Sequence, residues 1–98
     1  PALDLTDQIL LELNKDTVEM KRMWTRPEYR GKGCASTVLG ELEGWAREEG
    51  YTHSMLETGR RMQDAVKLYL QNGYAETENY GQYIGIENSI CFKKTLVK

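Results

Sequence analysis

The chain is poor in the residues that usually announce a covalent or metal-bound scaffold. Two cysteines, Cys34 and Cys91, stand far apart among 98 residues. A secreted domain this small would usually carry four or more, so a reducing, cytoplasmic setting is expected. The single histidine, His53, has no Cys/His cluster around it, and no metal is expected. No apolar run approaches the roughly 18–20 residues that a membrane span needs. The opening Pro1-Ala2-Leu3-Asp4 lacks the basic stretch and apolar core of a secretory leader. Thirteen basic residues face fifteen acidic ones, for a formal charge of −2. That balance lacks the basic excess that a nucleic-acid or anionic-membrane partner would call for, so neither is expected.

What is present suits one globular domain spanning 1–98. The apolar share is 40% and the charged share 29%, ordinary for a folded chain. Ile9, Leu11 and Leu13 alternate with Leu10, Glu12 and Asn14, which reads as a strand with one buried face; a helix starting near Thr6 is the competing reading. Asn14-Lys15-Asp16 is turn chemistry. Thr17–Trp24 alternates again, with Val18, Met20, Arg22 and Trp24 on one face and Glu19, Lys21 and Met23 on the other, so the two runs predict an antiparallel hairpin. Ala35, Val38, Leu39, Leu42, Trp45 and Ala46 then follow a 3.6-residue period and predict a helix ended by Gly50. His53–Glu57 reads as a strand turned by Gly59. Met62, Ala65, Val66 and Tyr69 predict a second helix ended at Asn72-Gly73. Tyr74–Glu78 predicts a short strand, Tyr80–Tyr83 an irregular loop, and Ser89–Thr95 a last strand with Ile90, Phe92 and Lys94 on one side. The expected fold is α/β: a mixed sheet, order β-β-α-β-α-β-β, flanked by two main helices that serve as crossovers.

The richest chemistry lies in Arg30-Gly31-Lys32-Gly33-Cys34-Ala35-Ser36, which joins a strand to a helix N-terminus. Unpaired N–H groups and the helix dipole favour an anion there. Small residues allow close approach of a phosphate, and Arg30 and Lys32 add positive charge. The nucleoside-triphosphate pattern is absent. Gly31-x-Gly33-x-x-Ser36 approaches a dinucleotide fingerprint, with Glu57 at a plausible distance for a ribose. However, Ser36 stands in place of the third glycine, and Thr25–Tyr29 separate strand from glycines. The plain alternative is a glycine turn that merely starts a helix.

Glu19-Met20-Lys21-Arg22-Met23-Trp24 followed by Arg26-Pro27-Glu28-Tyr29-Arg30-Gly31-Lys32-Gly33 resembles the acyl-CoA-binding region of the GNAT superfamily of N-acetyltransferases. The family's Arg/Gln-x-x-Gly-x-Gly/Ala loop is matched by Arg30, Gly33 and Ala35. Gly44–Tyr51, Leu56–Gly59, Ala65–Tyr69 with Asn72-Gly73-Tyr74, Tyr80–Tyr83 and Glu87–Phe92 carry the likeness on, so it covers about residues 9–96. One departure is the start. Only Pro1–Gln8 stand where a typical member has a strand, one or two helices and another strand. An open sheet edge and an uncovered apolar face would follow, and a homodimer covering them is expected. The alternative is that the N-terminal half is missing from this chain.

The resemblance implies transfer of an acetyl group from acetyl-CoA to a small-molecule or peptide amine, by direct attack of the neutral amine. The second strand and the strand His53–Glu57 would splay apart to admit the pantetheine arm. Backbone groups of Met23 and Trp24 would pair with it, and an N–H near Met23 would polarise the thioester carbonyl. Gly31, Lys32, Gly33, Cys34, Ala35 and Ser36, with Arg30, would hold the pyrophosphate. Tyr69 matches the family's general acid, and its competing reading is core packing. Glu19 is the candidate base, with Glu57 second; its competing reading is an exposed strand charge paired with Lys21. Tyr80 and Tyr83 would line the acceptor site or pack the loop. Arg60 and Arg61 would meet the ribose phosphate or only solvent. The other functions weighed are a non-catalytic acyl-CoA-binding module that needs a partner chain, and a dinucleotide-binding fragment.

Overall fold

The computed structural model describes residues 10–21 and 34–96. Five strands and two helices follow in the order β1 (Leu10–Asn14), β2 (Thr17–Met20), α1 (Cys34–Glu48), β3 (His53–Gly59), α2 (Gln63–Gln71), β4 (Ala75–Thr77) and β5 (Ser89–Thr95). The order is the one the sequence predicts. Strands are arranged β1-β2-β3-β5-β4 in one sheet. The β2–β3 pair is parallel, bridged by α1; the others are antiparallel. The α2 crossover departs from a plain parallel repeat, because β5 inserts between β3 and β4.

The hairpin turn is fixed locally: the Asn14 side-chain oxygen accepts the Asp16 N–H at 2.8 Å, an Asx turn. Register then decides the faces. Leu10 lies opposite Met20 and Glu12 opposite Val18, while Leu11 lies opposite Glu19. So Leu10 joins the core face, and Leu11 and Leu13 are exposed. This reverses the expected buried face of β1. Three apolar residues in a row, Ile9-Leu10-Leu11, carry no facing information of their own; the partner strand supplies it.

Both helices cover the face formed by Val18, Met20, Leu56, Ile90 and Phe92. From α1 come Leu39, Leu42 and Ala46, with Val38 and Trp45 half-buried at the margin. From α2 come Ala65, Leu68 and Tyr69. The second helix begins one residue later than its apolar stripe suggests: Met62 is its exposed N-cap, Val66 is half-buried, and Leu68 takes the inward position. Phe92 is fully buried beneath these side chains, where truncation to alanine typically costs about 3–5 kcal/mol.

Both helices end in the same six-residue device. After α1, Tyr51 N–H bonds the Ala46 carbonyl and Gly50 N–H bonds that of Arg47, at 3.0 and 3.1 Å. After α2, Tyr74 N–H bonds Tyr69 and Gly73 N–H bonds Leu70, at 3.0 and 3.3 Å. The glycines adopt φ of +94° and +89°, the left-handed conformation this cap requires.

Candidate active site

Two parallel strands open the site. The β2–β3 ladder runs from Thr17 opposite His53 to Met20 opposite Leu56 and stops there. Beyond it, β3 continues to Gly59 and, among the described residues, pairs there with β5 through Glu57–Cys91, Thr58–Ile90 and Gly59–Ser89. Lys21 has already left the strand. On the β2 side, Glu57–Gly59 therefore lie past the last ladder pair among the described residues, and the expected splay, which falls on Met23 and Trp24, lies outside them. Of the residues predicted to hold the thioester, Met23, Trp24, Arg30, Gly31, Lys32 and Gly33 lie outside the described residues. Cys34 and Ala35 are the first residues of α1. Ser36 is half-buried in its first turn and accepts a hydrogen bond from Asn72 Nδ2 at 3.2 Å.

Tyr69 projects from α2 into the core between Tyr74 and Phe92, with ring centroids 6.0 and 5.8 Å away. Burial, and then the negative charge of Glu57, push its phenol up to about 12. The core-packing reading is thus correct for the ring, and the hydroxyl stays protonated across the neutral range.

Glu19 is not an exposed strand charge. It is 3% exposed, on the sheet face away from the helices, because Val18 and Met20 take the core positions beside it. Its partner is not Lys21: Tyr83 donates its hydroxyl to Glu19 Oε2 at 2.8 Å. Tyr80 stacks edge-on against Tyr83, centroids 5.4 Å apart at 86°. The buried Tyr80 hydroxyl has no partner among the described residues. Burial chiefly raises both phenols, with Glu19 adding to the rise; a hydrogen bond with Gln82 offsets part of it at Tyr83, which reaches about 12. The supposed irregular loop contains a short 3₁₀ turn, Gly81–Tyr83.

Glu57 lies on the same face as Glu19, two places along β3 from Met55, the register partner of Glu19. Ser89 donates to Glu57 Oε2 at 2.6 Å. Between them Cys91 is fully buried, and desolvation raises its thiol against a lowering backbone bond with Tyr80. Cys91 is therefore a core residue rather than a nucleophile, as its strand position suggests. Arg60 is exposed, and its Nε donates to the Glu87 carbonyl at 2.8 Å. Among the described residues no group of three or more His, Cys, Asp or Glu side chains could hold a metal ion. No described helix is long and apolar enough to cross a membrane.

Sequence reasoning missed two asparagines. Asn72 ties the end of α2 to the start of α1 through Ser36, and Asn79 binds the loop that carries both tyrosines. Neither belongs to a periodic pattern, so only the fold brings their partners together.

The sequence pattern of the Acetyltransferase (GNAT) family matches residues 5–74. The chain belongs to this family. The IAA acetyltransferase of Azospirillum brasilense is 34% identical over 78 residues, covering 80% of this chain and 51% of its own length. The crystal structure of a Klebsiella pneumoniae protein assigned as an acyl-CoA N-acyltransferase superposes with a TM-score of 0.78 at 28% identity, over 90% of this chain and 61% of that one. A GNAT acetyltransferase from Elizabethkingia anophelis, solved with acetyl-CoA bound, shares the fold at a TM-score of 0.70 and 16% identity, over 88% of this chain and 65% of that one. This GNAT chain spans between 24% and 51% of the curated relatives it matches.

Proposed function

We propose that the chain binds acetyl-CoA and transfers its acetyl group to a primary amine of a small molecule or peptide by direct attack. The observation that carries this reading is the end of the β2–β3 ladder at Met20–Leu56 while β3 runs on to Gly59. Past the last described β2 partner, β3 offers backbone donors and acceptors to an extended ligand, and the amides of a pantetheine arm suit that edge. The start of α1, with Ser36 in its first turn, supplies the N–H groups and dipole that a diphosphate needs. The acetyl-CoA complex of the Elizabethkingia protein supports this choice of ligand.

In this reading the amine lone pair attacks the thioester carbonyl, the C–S bond breaks, and the sulfur leaves as the thiolate of coenzyme A. Tyr69 gives that sulfur a proton. A phenol held near 12 is a weaker acid than an ordinary thiol of pKa about 8.5, so the transfer is uphill on its own and is completed as the Tyr69 phenolate regains a proton from solvent. The proton lost by the amine goes to Glu19, directly or through water. Cys34, Ala35 and Ser36 contribute backbone donors, together with Arg30, Gly31, Lys32 and Gly33; Met23 and Trp24 pair with the pantetheine. Tyr80 and Tyr83 border the amine beside Glu19.

A calorimetric titration with acetyl-CoA, followed by a CoA-release assay over a panel of amines, tests the proposal. Micromolar binding with acceptor-dependent release supports it; absence of binding overturns it. Because the chain spans only part of its relatives, a second reading has the same site binding acyl-CoA without turnover until a partner chain completes it. Binding without release for any amine would favour that one.

A further inference from the structure

Resting on the reading of Glu19 as the amine-facing carboxylate, we propose that Asn79 is a positioning residue that holds Tyr83 on Glu19. Its side-chain Nδ2 lies 3.1 Å from the Tyr83 carbonyl, 3.2 Å from that of Ile86 and 3.3 Å from that of Ser89. An amide has two N–H groups, so three acceptors at these distances share two protons.

The arrangement matters because the loop is tied to the rest of the chain near its far end, by Arg60 at the Glu87 and Asn88 carbonyls, while its middle is held by bonds within the loop. Tyr83 N–H bonds the Tyr80 carbonyl, Ile84 that of Gly81, Ile86 that of Tyr83 and Ser89 that of Ile86. Each of these bonds is local to the loop, the first two within one 3₁₀ turn. None sets one turn against the next, and most of the segment is exposed: Ile84 and Ile86 protrude into solvent. Asn79 is the side chain that gathers the successive turns on one point. The third carbonyl it holds, that of Ser89, opens β5 and is thus anchored to the sheet. Through it the loop is referenced to the strand whose neighbour β3 carries Glu57. The consequence is read at the other end of Tyr83, whose hydroxyl meets a carboxylate 64 positions earlier in the chain. A hydrogen bond between such distant residues needs the loop placed to within a few tenths of an ångström.

Tyrosine labelled at Cζ with ¹³C tests this without any acceptor, the Tyr83 signal being assigned from Y83F. At pH 10.5 a phenol held near 12 is almost wholly neutral. A freed one, with a pKa near 10, is about three-quarters ionised. The N79A variant is expected to show the ionised signal for Tyr83, with the other tyrosines unmoved. Tyr83 remaining neutral in a folded N79A would reduce Asn79 to a stabilising role and overturn the proposal. Should N79A not fold, N79S, which keeps a single donor, is read in the same way. In the acyl-transfer assay N79A and Y83F should each lower kcat about tenfold without moving the KM for acetyl-CoA, and the double variant should lose no more than either. An inactive parent chain would count against the transferase reading and leave the resonance result standing; additive losses would count against the link between Asn79 and Tyr83.

Discussion

Lys94 of β5 reaches Glu43 of α1 with its ammonium 3.0 Å from the carboxylate. The pair sits on the helix-covered face, where Glu43 is almost fully buried and Lys94 is one-quarter exposed. The same ammonium donates to the Asn72 carbonyl at 2.7 Å and lies 5.6 Å from the centre of the Tyr74 ring. One cation therefore joins α1, β5 and the end of α2. Glu43 Oε2 has no partner among the described residues, so Lys94 carries the compensation for that carboxylate.

Removing the cation should therefore be costly. K94M keeps the aliphatic stem and leaves a buried carboxylate uncompensated. A fully buried pair broken this way costs about 3–5 kcal/mol, and the partial exposure of Lys94 brings the expectation to about 2–4 kcal/mol. Urea denaturation measures it. The double variant K94M/E43L should recover most of the loss, because the lone charge then disappears. A K94M chain as stable as its parent would show that the pair contributes nothing.

Alkali offers a second handle. The Tyr69 phenol is raised to about 12 in the folded chain and titrates near 10 when unfolded. The unfolded state then gives up the proton first, so the contribution is whole below pH 10 and is lost as pH rises toward 12. Its size is about 3 kcal/mol for a buried group shifted by this much. Tyr74 is shifted in the same direction, chiefly by burial, against a lowering bond with Ser54, and steepens the same fall. Y69F should lose less stability than the parent between pH 10 and 12, by about 3 kcal/mol, when denaturation midpoints are compared across that range.

These two cases show what was legible before the fold was seen. The α1 stripe from Val38 to Ala46 and the glycines after both helices follow local rules, and they stand where those rules put them. The chain order of the elements also follows, but their order in the sheet does not, since β5 inserts antiparallel between β3 and β4. What the sequence hid is non-local. Glu43 looks like a solvent charge until Lys94, 51 positions on, meets it. Glu19 looks exposed until Tyr83 crosses the sheet to it. The facing of Leu10 against Leu11 is undecidable inside an apolar run and is set by Met20 and Glu19 in the neighbouring strand.

The helix caps predict a local loss. Gly73 holds φ at +89°, and a methyl added there would meet Lys94 Cε at an ordinary 3.5 Å. Space is thus available and the penalty is conformational. G73A should cost about 1–2 kcal/mol, seen as a drop in the denaturation midpoint with unchanged acetyl-CoA affinity. A neutral G73A would mean the α2 cap does not need a left-handed residue.

Glu19 gives the sharpest functional test of the proposed chemistry. A carboxylate that takes the proton of an attacking amine does so only after acetyl-CoA is in place, so E19Q should leave the thioester's dissociation constant unchanged. Glutamine cannot accept that proton at neutral pH, and the rate should fall about 10²-fold, the lower range for a single acid–base group. The deficit should depend on pH in one direction. Rising pH supplies hydroxide that takes the proton of the attacking amine in place of Glu19, so parent and E19Q rates should converge on the alkaline side. The substitution keeps the size of the side chain and an oxygen for the Tyr83 hydroxyl, which separates lost basicity from lost packing. If the two rate profiles instead ran parallel at every pH, Glu19 would be acting on the position of the amine and not on its proton.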